Sequence, residues 1–271
     1  MKKHIFIDID GTIFSHTSGM SENVKQAIVK AKENGHNLFV STGRARSVID
    51  LVIDSLPFDG YICAAGAHIE INNQVLKSQL LPKATVEKLM DYFTKEQAGF
   101  VMEGPTYVFY DELGKERFFS AARDKHKVEA MKPHMIPEHR QKMASEYRRG
   151  VDDVNKFLVY PNDIEHQRKI VRDIEKDVFC IVNPGSLGFE FVPHGISKAE
   201  GIKFLVDYLN LDHQNTIGIG DSNNDLEMLS YVQLGIAMGN AHDEVKEVAD
   251  FVTKDVEEDG VVYAFEHLNI I

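Results

Sequence analysis

Ile5-Phe6-Ile7-Asp8-Ile9-Asp10-Gly11-Thr12 is the stretch whose reading decides the fold. An apolar run rich in β-branched residues reads as a strand buried on both faces, as in the middle of a parallel sheet. Two aspartates interrupt it, and a buried carboxylate is costly unless it is paired or binds something. Their i, i+2 spacing predicts both side chains on one side of an extended strand, roughly 7 Å apart. A phosphoryl group fits such a gap, with one carboxylate attacking it and the other protonating the leaving oxygen. Gly11 frees the chain to turn sharply straight afterwards. An ordinary turn signal at Asp10-Gly11 would leave Asp8 unexplained.

Outward from that strand the pattern is regular. A polar loop leads into a predicted helix over 22–34, with Val24, Ala27, Ile28 and Ala31 as its apolar stripe and Gly35 as its stop. A second strand is expected over 36–40, followed by Ser41-Thr42-Gly43-Arg44. The next helix is expected to bury Val48, Leu51, Val52 and Leu56 on one face before Pro57, and a third strand follows over 61–64. This βαβαβ alternation predicts a doubly wound parallel sheet, an α/β fold of the Rossmann-like kind. Ligands of such sheets collect at the carboxyl ends of the strands, where Asp8, Asp10 and Thr42 all fall.

From residue 67 the pattern changes. A hairpin is expected over 69–76, turning at Asn72-Asn73, then a helix over 85–96 and strands over 100–102 and 107–109. Residues 115–149 read as largely helical and strongly charged. Strands over 154–160, 178–182 and 188–192, with a helix over 164–176, complete an α+β insertion between two halves of the parallel-sheet domain. The expected division is a core of 1–82 and 190–271 with an inserted domain of 83–189.

Beyond the insertion, Ser197-Lys198-Ala199-Glu200 reads as a capping box with Ser197 at N-cap. Lys198 then sits in the first helical turn, where a cation faces the positive end of the macrodipole. Two readings stand: a solvated lysine that tolerates the penalty, or a phosphate ligand. A buried-type strand over 216–219 opens onto Gly220-Asp221-Ser222-Asn223-Asn224-Asp225. Asp221 and Asp225 are placed to share a face at a helix start, either as ligands or as complements to the helix dipole.

Composition narrows the field. The chain has 271 residues, enough for two cores, with 43% apolar and 27% charged residues. A net charge of −12 argues against nucleic acid or a membrane surface as partner. Cys63 and Cys180 have neither disulfide-framework nor zinc spacing. No apolar run approaches the roughly 18 residues that span a bilayer. With the site strand starting so near the N-terminus, no signal peptide is expected and the expected location is cytoplasmic.

Together, DxDGT, STGR, a helix-starting SK and GDxxND in this order resemble the four motifs of the haloacid dehalogenase superfamily. The α+β insertion, and the later Ala237-Met238-Gly239-Asn240-Ala241, resemble the Cof-type subfamily with its type IIB cap. The resemblance implies a phosphatase acting on small phosphorylated metabolites such as sugar phosphates, nucleotides or cofactor phosphates. It implies Asp8 as nucleophile and Asp10 as acid, then base. Thr42, the Gly43 amide and Lys198 would hold the phosphoryl oxygens, and Asn224 would orient the phosphate or Lys198. It implies Mg²⁺ on the carboxylates of Asp8 and Asp221 and the carbonyl of Asp10, with Asp225 beside them. Crowded carboxylates need such a cation, since like charges about 5 Å apart cost about 3 kcal/mol per pair at an effective dielectric near 20. Two alternatives remain: a sugar phosphomutase of the same superfamily, which would release no free phosphate, and a non-catalytic sensor of phosphorylated ligands. Residues 115–149 also hold ten Lys or Arg against five acids. Either these are solvated faces or some face the core and favour substrates with a second anionic group.

Overall fold

The computed structural model describes residues 1–15, 17–123, 136–176, 178–182 and 187–271. The chain begins with β1 (His4–Ile7), β2 (Asn37–Ser41) and β3 (Gly60–Cys63), then the hairpin of β4 (His68–Ile71) and β5 (Gln74–Ser78). It next builds β6 (Gly99–Glu103), β7 (Val108–Tyr110), β8 (Gln141–Met143), β9 (Lys156–Tyr160), β10 (Phe179–Val182) and β11 (Phe189–Val192). It returns with β12 (Thr216–Gly220), β13 (Leu234–Ala237) and β14 (Phe251–Val252).

Among the described residues these strands form two sheets. The first runs β14-β13-β12-β1-β2-β3-β4-β5, parallel from β14 to β3 and closed by the antiparallel hairpin. Asn72 and Asn73 at the hairpin turn have φ of 48° and 62°, the left-handed pair that a two-residue turn requires. The second sheet runs β10-β11-β9-β6-β7-β8 and is antiparallel except for β7–β8. Its strands span 99–192, so through β11 it runs past the expected boundary at 189, to Val192.

The first sheet is sandwiched by helices. Glu22–Glu33 and Gly260–His267 bury Val24, Ile28, Val261 and Phe265 against Ile5 and Ile7. On the opposite face Lys198–Tyr208, Leu226–Tyr231 and Asp243–Val248 bury Ile202, Leu205, Met228 and Val245 against Phe6 and Phe39. Alternation along β1 thus feeds two cores, which is why the strand reads as continuously apolar. No described helix is long and apolar enough to cross a membrane.

Two expectations fail. The helix after Arg44 is broken into a turn at Arg46–Val48 and a short helix at Leu51–Asp54. Asp50 is extended between them and accepts the Val52 N–H, which restarts the register. Ile49 and Ile53 are buried as a result, while Leu51 and Val52 are exposed. The described part of 115–149 is also less helical than expected. A helix at Glu112–Arg123 is followed, after the undescribed 124–135, by β8 between two single turns. Pro137 has no N–H to continue a helix there.

Candidate active site

The site lies where the strand order reverses. β1 pairs with β2 on one side and β12 on the other, so the chain leaves their carboxyl ends in different directions and opens a crevice. The Asp8 N–H still donates to the Ile219 carbonyl at 3.0 Å, after which the amides of Thr12, Ile13 and Phe14 fold back onto the Ile9 carbonyl. The strand itself ends at Ile7, and the chain reverses after Ile9. Asp8 turns towards Lys198, whereas Asp10 turns towards Arg44.

Lys198 is buried, and its ammonium donates to one oxygen of Asp8 at 2.7 Å and one of Asp225 at 2.6 Å. That excludes the solvated reading. Burial works against the ammonium, but Asp225 and Asp8 outweigh it and hold its pKa above the ordinary value. Burial also lifts the Asp8 carboxyl well above the usual range, with Lys198 opposing and Asp225 and Asp221 adding repulsion. Asp221 accepts the Thr12 hydroxyl at 2.9 Å, yet burial, then Asp225, pushes it up to about 7.

Asp8, Asp221 and Asp225 each bring an oxygen within 4.8 Å of the others. The Asp10 carboxylate is not in that group among the described residues. Asp225 does not share a helix face with Asp221. It closes the turn Asn223–Asp225, where its second oxygen accepts the amides of Asp221 and Ser222 at 3.1 Å each. Gly11 is essential here, with φ +83° and Asp221 so near that a methyl would lie 2.3 Å from its oxygen. At Gly66, φ +103°, a methyl would lie 2.2 Å from the Ser197 carbonyl, so this glycine lets the Lys198 helix reach the sheet.

The other expected residues are near one another. Thr42 is buried and its hydroxyl oxygen accepts the Arg44 N–H at 3.2 Å. Asn224, which accepts the Ser222 hydroxyl at 2.9 Å, reaches to 3.4 Å from where a Gly43 methyl would be.

Three residues had no assigned role in the sequence. Arg44 donates to both oxygens of Asp10, at 2.8 and 2.6 Å, and although burial opposes its charge, Asp10 raises its pKa overall. Lys156 and Glu103, from the second sheet, bond to the main chain beside Arg44. The only signal for Arg44 was its place in STGR. None distinguished Lys156 or Glu103 from other polar strand positions.

Four basic residues of 115–149 are engaged elsewhere. Arg117 donates to the carbonyls of Tyr160 and Pro161, Arg148 pairs with Asp152, and Arg149 with Asp91. Arg140 reaches the first sheet's domain, but binds the Ile49 carbonyl and Asp54. The electrostatic expectation for Arg123, Lys125, Lys127 and Lys132 rests on side chains outside the described ones.

A mixed α/β core with carboxylates at its switch point, overlain by an inserted α+β unit, defines a class of phosphoryl-handling hydrolases. A family profile for haloacid dehalogenase-like hydrolases matches residues 5–265, and the chain belongs to that family. A putative phosphatase of Bacillus subtilis, YkrA, is 33% identical over 99% of this chain and 98% of its own length. Another B. subtilis protein, the 5-amino-6-(5-phospho-D-ribitylamino)uracil phosphatase YcsE, is 27% identical over 98% and 95%. The solved structure of a sugar phosphatase of subclass IIB superposes with a TM-score of 0.77 at 23% identity, over the full length of both chains. The chain is thus a phosphatase of the haloacid dehalogenase superfamily.

Proposed function

We propose that the chain hydrolyses phosphate monoesters of small metabolites in two half-reactions. In the first, an Asp8 oxygen bonds to phosphorus, the bond to the leaving oxygen breaks, and Asp10 gives that oxygen a proton. In the second, water attacks phosphorus, Asp10 takes its proton, and the bond to Asp8 breaks. Covalent catalysis divides a difficult transfer into two easier ones. The observation that carries this reading is the difference in surroundings of the two carboxylates. Asp8 is buried against Lys198, while Asp10 is half-exposed against Arg44. Two carboxyls in different surroundings can take different roles.

Thr42, the Gly43 amide, Lys198 and Asn224 are assigned to the phosphoryl oxygens, where fixed donors stabilise charge that develops in the transition state. The carboxylates of Asp8 and Asp221 with the Asp10 carbonyl are assigned to a divalent cation, and Asp225 to holding their loop and Lys198. The fit is one of charge and chemistry. Three carboxylates lie within 4.8 Å of one another and Lys198 pairs with only two of them, Asp8 and Asp225, and hard oxygen donors suit Mg²⁺. Such an ion, when bound, neutralises the phosphoryl group and the crowded acids.

We assign 1–82 and 193–271 to the catalytic core and 83–192, which takes in all of β11, to a cap that selects among sugar phosphates, nucleotides and cofactor phosphates. The test is Asp8→Asn assayed on a panel of such esters with Mg²⁺. The variant should fold and release no phosphate. Substantial turnover by folded protein would end the covalent mechanism.

A further inference from the structure

The second sheet touches the site through two buried charges that the chemistry above does not use. Glu103 and Lys156 lie opposite each other on antiparallel β6 and β9, so their side chains share a face. Glu190 sits opposite Leu158 on β11, two residues along, on that same face. The Lys156 ammonium donates to Glu190 at 2.6 Å and to the Gly43 carbonyl at 3.0 Å, with Glu103 at 3.9 Å. Glu103 in turn accepts the Ala45 N–H at 3.3 Å. Both residues are 3% exposed. Burying such a pair is not by itself a gain in stability.

The two contacts bracket a single residue. One grips the carbonyl before Arg44 and the other the amide after it, and Arg44 holds both oxygens of Asp10. We propose that Lys156 and Glu103 are positioning residues that, with the cap in place, set the Arg44–Asp10 pair, so that proton transfer by Asp10 depends on cap contact. This rests on the roles given above to Asp8 and Asp10. Neither residue touches the reacting atoms. They act on the anchor of the side chain that orients the acid.

The leaving group separates this from a merely structural ion pair. When the Asp8–phosphorus bond forms and the ester bond breaks, an alkoxide must take the Asp10 proton, whereas p-nitrophenolate leaves without one. kcat/KM reports that first half-reaction. The test compares p-nitrophenyl phosphate with the alkyl phosphate that the unaltered protein turns over best, using the full chain with Mg²⁺. Lys156→Met should lower kcat/KM for the alkyl ester about 10²-fold, as expected for a misplaced catalytic group, and for the aryl ester by less than about threefold. Asp10→Asn should show the same bias more strongly, and Lys156→Arg should recover much of the loss. If Lys156→Met does not fold, the double variant Glu103→Gln, Lys156→Met removes both buried charges and carries the same comparison. An equal loss on both esters in Asp10→Asn overturns the role of Asp10, and this inference with it. A biased loss in Asp10→Asn beside an equal loss, or none, in the Lys156 variant overturns the inference alone.

Discussion

Replacing Lys198 by Met keeps the length of the side chain and removes the one ammonium between Asp8 and Asp225. The lysine and Asp225 side chains are 0% exposed and that of Asp8 5%, at 2.7 and 2.6 Å from the ammonium. Breaking a buried pair from one side typically costs about 3–5 kcal/mol, since a charge is left uncompensated. For a chain of 271 residues that is a fall in Tm of roughly 10 °C. The deficit depends on pH in a definite direction. Asp8 already binds its proton more tightly when folded than an ordinary carboxyl does. A raised folded pKa favours the folded state below it, and that benefit is lost as pH rises through it. The variant's deficit should therefore be largest at neutral pH and shrink towards pH 4, near the unfolded carboxyl value. Adding Asp225→Asn should return most of the lost stability, because removing both partners of a buried pair is far milder than removing one. Activity should fall about 10²–10³-fold, the usual loss of a charge-stabilising donor. Thermal melts from pH 4 to 8 and phosphate-release rates measure these effects. A Tm within about 2 °C of the unaltered protein at neutral pH would refute the reasoning, since it means the carboxylates are solvated.

Gly66→Ala should lower stability by about 3 kcal/mol, from left-handed strain plus displacement of Ser197, and activity about tenfold through the shifted Lys198, as melts and rates would show. Without metal, stability should decline as pH rises from about 4 towards neutrality, because folded Asp221 holds a proton up to about 7 that the unfolded chain has lost. Mg²⁺ should flatten that decline and support turnover better than Ca²⁺, whose looser coordination spoils in-line geometry; equal slopes with and without Mg²⁺ would count against a metal on Asp221.

Much of the core was legible because its signals are local. Ser197, read as an N-cap, does accept the Glu200 N–H three residues on. Asp8, Lys198 and Asp221 come together because each follows or starts a readable element at the same edge. The misreadings share a cause as well. The reversal at Ile9, beyond the end of β1, is a main-chain turn with no side-chain signature. Asp50 restarts a helix that periodicity alone would continue. The burial of Lys156 follows from the register of β9 against β6 and the seating of one sheet over another, neither of which one strand's composition records.

The placement of β1 has a consequence for how the polypeptide is made. Its partner on one side, β2, emerges soon after it, but its partner on the other is β12, with His4 opposite Thr216. During synthesis this buried strand must wait with one edge unpaired while the whole second sheet is made. Exposed edges of this kind invite pairing with other chains, and closing so long a loop is slow. The nascent protein is therefore most prone to aggregate late in translation, and a ribosome stalled before β12 would leave β1 uncovered on one side.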